Sequence, residues 1–341
     1  MNRETILKKI ENVLYPGLDK SIVELKIVEV TEEKNGRPTI TLSMQNDEAY
    51  DTLQERIEEL FEGDVEIRRK AVTKKREMHY GTTANPNNRA PYAKRVIAVT
   101  SGKGGVGKST VSVNLAVALA QKGYSVGLLD ADVYGPNIPR MTRTAHEKLR
   151  WNDRNRIVPS ENFGIKIMSV GLTTPASDTP LVWRSSVAVS ALIQFLEDVE
   201  WGELDFLVID MPPGTGDIQL TMAQELPIAA GLIVTTPQPV ALDDVSRAIM
   251  MFKDIDVPIG GLVENMSFFV APDTKKRYDI FGKGGGEATA KKYGIPFLGK
   301  IPLDMQIRAL SDEGTPAVAM GDSEQKGYYI GIVDNLLAQM P

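Results

Sequence analysis

Cysteine is absent from the 341 residues. Its absence excludes disulfides, thiolate metal sites and cysteine nucleophiles together. Histidine is almost missing: His79 and His146 are far apart, neither has a metal-binding spacing, and both read as surface residues. No apolar run approaches the roughly 20 residues that a helix needs to cross a bilayer. The opening Met1-Asn2-Arg3-Glu4 leads into a charged amphipathic stretch and not a signal peptide, so the cytoplasm is the expected location. Excess positive charge is lacking too. A net charge of -6 argues against a broad nucleic-acid surface. What is present, 42% hydrophobic and 25% charged residues, is an ordinary globular composition, and the length suggests two domains.

Residues 1–70 are expected to form a small α+β domain. Residues 4–14 place Ile6, Leu7, Ile10, Val13 and Leu14 on one side of a helix, stopped by Tyr15-Pro16-Gly17. Residues 22–30 and 39–44 alternate as strands, with Asn35-Gly36 as a hairpin signal between them. Residues 49–61 read as a second helix ended by Gly63, and 65–67 as a short strand. Residues 71–94 are the expected linker. The basic triplets Arg68-Arg69-Lys70 and Lys74-Lys75-Arg76 and the turn-rich residues 85–91 read as a solvated tether, or as a docking strip for an acidic partner.

From residue 95 to 341 strands alternate with helices. The apolar stretches 96–99, 126–129, 206–209, 231–234, 259–263 and 297–301 read as strands, and 110–121 as a largely buried helix ended by Gly123. Continuous apolar strands between helices predict an α/β domain with a mostly parallel sheet flanked by helices. In such sheets the ligand sits beyond the carboxyl ends of the strands. The final stretch 327–337 lacks lysine and arginine and reads as a core-packing helix, which disfavours a basic membrane-binding tail.

Residues 102–109 spell G-x-x-x-x-G-K-S between a strand and a helix, the phosphate-loop pattern. Gly102, Gly104, Gly105, Val106 and Gly107 let the backbone aim several N–H groups at one anion, and the helix at Thr110 adds its positive end. Lys108 can reach the β and γ phosphates of ATP, and the Ser109 hydroxyl can ligate Mg²⁺. A second lysine, Lys103, has no duty in an ordinary phosphate loop. Asp130 and Asp132 follow the second strand: one can position an attacking water and the other hold Mg²⁺ through water, while Asp130 also reads as a turn cap. Asp210 closes four apolar residues, the pattern of a carboxylate that organises Mg²⁺, and the following 211–217 can sense the γ phosphate. Asn265 offers the donor–acceptor pair that reads a purine edge. Asp304 reads as a contact to the base or ribose, or as a turn residue. Residues 282–286 are glycine-rich without the phosphate-loop context and read as a flexible loop before a helix at 287–292.

Residues 103–110 resemble the deviant Walker A motif of the MinD/ParA/nitrogenase-iron-protein group of P-loop NTPases. Residues 130–139, 210–217, 236–238 and 264–267 narrow the resemblance to the Mrp/ApbC iron–sulfur cluster carriers. Residues 1–70 resemble the small domain often fused ahead of that ATPase and related to a family used in iron–sulfur assembly. The resemblance implies a homodimeric, Mg²⁺-dependent ATPase serving apo-protein clients or iron–sulfur assembly proteins, with no nucleic acid or membrane expected as partner. It implies that Lys103 reaches across to the partner's nucleotide, Asp132 orients water and Asn265 reads adenine. Trp183-Arg184 and residues 187–196 resemble a segment beside the dimer interface. The family usually carries C-x-x-C after the asparagine, holding a cluster between subunits. Here Ala271 and Thr274 occupy those positions, and binding a cluster through thiolates is chemically excluded. A MinD/ParA-like positioning ATPase on a membrane or DNA surface is the alternative.

Overall fold

The computed structural model describes residues 3–16, 20–25, 27–32, 37–43, 47–70, 88–133, 135–173, 185–214 and 216–340. Gly17, Asn35-Gly36, Lys74-Lys75-Arg76, His79, Trp183-Arg184 and Thr215 lie outside them. The chain divides into two units, Met1–Glu77 and Met78–Pro341.

The first unit runs α1 (Arg3–Ile10), β1 (Val28–Glu32), β2 (Pro38–Ser43), α2 (Asp47–Leu60) and β3 (Glu66–Lys70). β1 and β2 are antiparallel and β2 and β3 parallel. Ile6, Ile10, Ile22, Ile40, Leu42, Leu53 and Ile57 are its fully buried centre. Three expectations need correction. The first helix stops at Ile10, where Val13 N–H turns back onto the Ile10 carbonyl, although Val13 still enters the core. The alternation over 22–30 is only partly strand. Ser21 and Glu24 exchange side-chain and backbone hydrogen bonds at 2.8 and 3.2 Å, and this reciprocal cap winds the chain into a turn before β1. The triplet Arg68-Arg69-Lys70 belongs to β3 and not to a tether.

The second unit begins with β4 (Ala93–Ser101), α3 (Lys108–Gln121), β5 (Val126–Asp130) and α4 (Ile138–Met141). Short strands follow: β6 (Arg150–Trp151), β7 (Ile157–Val158), β8 (Ser160–Asn162) and β9 (Ile165–Ser169). Then come α5 (Ser185–Asp198), β10 (Leu204–Asp210), α6 (Asp217–Glu225), β11 (Ile228–Thr235), α7 (Pro239–Asp254) and β12 (Ile259–Glu264). A hairpin of β13 (Phe269–Val270) and β14 (Arg277–Tyr278) precedes α8 (Gly285–Tyr293), β15 (Phe297–Lys300), α9 (Met305–Asp312) and α10 (Glu324–Gln339).

The sheet order is β15-β12-β11-β4-β10-β5-β9-β8, parallel throughout except for the edge pair β8–β9. The α/β class with a mostly parallel sheet is thus as expected. Helices α5 to α8 pack on one face, and α3, α9 and α10 on the other. Helix α3 is apolar on nearly all sides because it is buried on nearly all sides, from Val111 to Leu119. Helix α10 sinks Tyr329, Ile332, Val333 and Leu336 into the core, as its composition suggested. No described helix is long and apolar enough to cross a membrane. In the sheet Asp210 pairs in register with both Val99 and Asp130, so the ends of β4, β5 and β10 open onto one edge.

Candidate functional site

The turn after β4 is cross-linked before any ligand is considered. Ser101 Oγ donates to the Lys103 carbonyl at 2.9 Å, and Asn265 Nδ2 donates to the Val106 carbonyl at 2.8 Å. Gly107 has φ 84°, and a Cβ there would collide with the Asn265 amide, so only glycine lets α3 start at this point. A cavity of about 700 Å³ lies against this turn. Gly104, Gly105, Gly107, Lys108, Ser109, Thr110, Asp132, Asn265 and Asp304 line it. Gly102 instead packs on Asp244 of α7, Val106 is buried beneath the loop, and Asp210 is buried behind Lys108.

Lys108 holds the centre. Its Nζ lies 2.8 Å from Asp210 Oδ2 and 3.9 Å from Asp132 Oδ2, with 6% of the lysine side chain exposed and none of Asp210. Asp210 also accepts from Ser109 Oγ and Ser112 Oγ, each at 2.6 Å. Asp130 accepts from Ser169 Oγ at 2.9 Å and from the Asp132 N–H at 3.2 Å. Burial, together with the Asp210 charge, pushes the Asp130 carboxyl up to about 8. Behind the cavity-lining Lys108 and Asp132 lie the buried Asp210 and Asp130, and the oxygens of these two named above are each engaged by a donor. Ser109 Oγ and Asp210 Oδ2 are hard oxygen donors side by side. Among the described residues no group of three or more His, Cys, Asp or Glu could hold a metal alone. Mg²⁺ suits such a pair, because it keeps waters and takes the rest of its shell from substrate phosphates.

Three other expected residues have local partners. Lys103 Nζ donates to Gln238 Oε1 of its own chain at 3.3 Å. Asp304 caps α9, its Oδ1 accepting from Gln306 and Ile307 N–H at 2.7 and 2.9 Å, and its Oδ2 accepts from Gln325 at 3.0 Å. Asn265 spends its amide nitrogen on the phosphate loop. Sequence reasoning missed Ser112, although it falls three residues after Ser109 on the same helix face. It also missed Gln219, which donates to the Pro212 carbonyl at 2.8 Å and accepts from Gly216 N–H, pinning the loop after β10. Arg140, Met141, Phe269, Met305 and Arg308 on the far wall carry no sequence signal of their own. Residues 282–284 form a loop as expected, but Gly285 and Gly286 already belong to the first turn of α8 and pack closely on Leu242 of α7 and on Glu264.

A family model described as ParA, the NUBPL iron-transfer P-loop NTPases, matches residues 92–337. The chain belongs to this family. An iron-sulfur cluster carrier protein of Synechocystis is 40% identical over 326 residues, 93% of this chain and 92% of that one, so the relationship reaches into the first unit. An iron-sulfur cluster carrier protein of Aquifex aeolicus is 49% identical over 245 residues, 72% of this chain and 67% of its own. Among solved structures, a nucleotide-binding protein of Archaeoglobus fulgidus in complex with ADP is 38% identical with a TM-score of 0.61, covering 71% of this chain and 94% of that one. The cell division ATPase MinD of Pyrococcus furiosus is 23% identical, TM-score 0.54, over 72% of this chain and 98% of its own, and shows the shared fold alone. This chain supplies no thiolate.

Proposed function

We propose that this NUBPL-family chain is a cytoplasmic, homodimeric, Mg²⁺-dependent ATPase that works as a nucleotide-switched scaffold for iron–sulfur client or assembly proteins. The observation that carries the proposal is the buried Lys108–Asp210–Ser109 cluster under the phosphate loop, at the edge of the cavity. The first unit serves as a second, separately folded module, and the client surface lies outside the nucleotide cavity.

ATP is the substrate. Its phosphates take the place of Asp210 as the partner of Lys108, and the loop N–H groups and the start of α3 hold the anion. Ser109 and Asp210 would hold Mg²⁺, which when bound would offset charge on the phosphates. Asp132 accepts a hydrogen bond from the attacking water and aims its oxygen at the γ phosphorus. The water oxygen bonds to that phosphorus as the bond to the bridging oxygen breaks, and the water's proton passes to the released phosphate or solvent, leaving ADP and inorganic phosphate. Positioning and charge stabilisation supply most of the catalysis in such transfers. Lys103 exchanges Gln238 for the nucleotide of a second copy, adding a cation at the developing charge.

The test is full-length protein with ATP and Mg²⁺, followed by phosphate release and by sedimentation. ATP binding, Mg²⁺-dependent release and a nucleotide-favoured dimer are expected. Lys103→Ala should lower turnover while leaving ATP affinity within about threefold, less than 1 kcal/mol. Absence of ATP binding would sink the proposal, and a monomer with full turnover would sink its dimeric part.

A further inference from the structure

Both ends of one excursion from the sheet meet on a single buried side chain. Glu264 is the last residue of β12 and is fully buried. Its Oε1 accepts from the Ser267 hydroxyl at 2.5 Å, and its Oε2 accepts from the Gly286 N–H at 2.6 Å. Between those residues the chain leaves the sheet, forms the β13–β14 hairpin and returns at the first turn of α8. A Cβ on Gly286 would stand 2.9 Å from Oε2 and 3.1 Å from the Glu264 Cβ, so the second link requires glycine. A carboxyl group also suits the positive end of α8.

The root of the excursion is the wall of the nucleotide cavity. Asn265, next in sequence, is tied to the phosphate loop at Val106. Ser267 N–H donates to the Ile301 carbonyl at 2.9 Å, and Leu303 N–H donates to the Phe268 carbonyl at 2.7 Å. Met266, Phe269 and Leu303 all face the cavity. The outer part is different. Val270, Tyr278 and Ile280 are 39%, 44% and 56% exposed, an apolar surface on an arm whose base is rigidly hydrogen-bonded.

We propose that Glu264 is a positioning residue that couples occupancy of the nucleotide cavity to the placement of the hairpin arm. This rests on the ATP-binding reading above. One carboxyl group with both oxygens committed cannot follow one end of the arm without drawing on the other. Leaving a buried donor or acceptor unpaired is costly, so the two ends move together. A shift of residues 265–269 when nucleotide enters is carried to Gly286 and α8 through these two bonds, a contiguous physical connection.

Hydrogen exchange of the full chain, with and without a non-hydrolysable ATP analogue and Mg²⁺, tests this beside a separate titration with the same analogue. In the wild-type chain, peptides covering 269–283 should change protection when the analogue binds. Glu264→Gln and Ser267→Ala should bind the analogue within threefold of wild type yet lose at least four-fifths of that change. A purely structural role would lower protection equally in both states and leave the difference intact, and that result overturns the coupling. Ser267→Ala removes one link only and gives the reading even where Glu264→Gln fails to fold. A wild-type chain that binds the analogue without any change at 269–283 overturns the coupling alone. One that binds no analogue overturns the nucleotide reading and the coupling with it.

Discussion

The phosphate-loop side of the cavity and the hairpin arm share a root at residues 264–269, but they are built in opposite ways. On the loop side, the charged groups are buried and bonded to one another: Lys108 to Asp210, and Asp210 to Ser109 and Ser112. On the arm, residues 272–280 are exposed, and the bonds that hold it are gathered at its base. Catalysis of phosphoryl transfer needs fixed distances, which burial and mutual hydrogen bonding provide. A surface offered to another molecule needs reach and tolerance, which a hairpin fixed only at its base provides.

The contrast can be broken most severely at the lysine. Lys108→Ala removes the lysine that stands 2.8 Å from Asp210 and 3.9 Å from Asp132 and should lower phosphate release by about 100-fold or more, the usual scale for losing a preorganised charge-stabilising group. A loss under tenfold would mean that Lys108 serves packing and not phosphate. Gly107→Ala should come next. It forces a side chain into the left-handed region and against the Asn265 amide. ATP affinity measured by titration should fall at least tenfold, with a drop of several degrees in thermal midpoint. An unchanged affinity would show that the turn yields.

A third test uses pH. Asp130 has a native pKa raised to about 8, above its unfolded value of 3.8. The native state therefore holds more protons than the unfolded one between these values, and the group's contribution to stability falls as pH rises through that window. Asp130→Asn should stabilise the protein more at pH 8.5 than at pH 4.5, read from denaturant midpoints at both. Equal shifts at the two pH values would rule out this account. The smallest effect belongs to the arm. Ala271→Cys with Thr274→Cys, one half-buried and one exposed position, should change stability by no more than about 0.5 kcal/mol, as for surface substitutions away from packed features. A larger loss would show that the tip is packed. The wild-type chain should give no thiolate-ligated cluster when reconstituted with iron and sulfide.

Much of this was legible in the sequence because it depends on local rules. The phosphate loop shows as glycine spacing, the parallel sheet as short apolar runs between helices, and Asp210 as a carboxylate after four buried residues. Other features were illegible because their partners are remote along the chain. Nothing near Ser169 announces that it bonds Asp130, and nothing near Gly286 announces Glu264. The alternation at 22–30 misled because the Ser21–Glu24 cap outcompeted strand formation locally. Gly285 and Gly286 misled because glycine serves close approach as readily as flexibility.

The sequence alone determined that this chain has a phosphate loop, two lysines within it, and no sulfur ligand for a cluster. Those are matters of residue type and spacing over a few positions. Only the tertiary structure decided which groups face one another. It set Lys108 between Asp210 and Asp132, placed Asn265 on the phosphate loop, and brought both ends of the hairpin arm to Glu264. The reason is physical: buried polar groups must find partners, and in a parallel sheet those partners come from strand ends that are distant in sequence and adjacent in register.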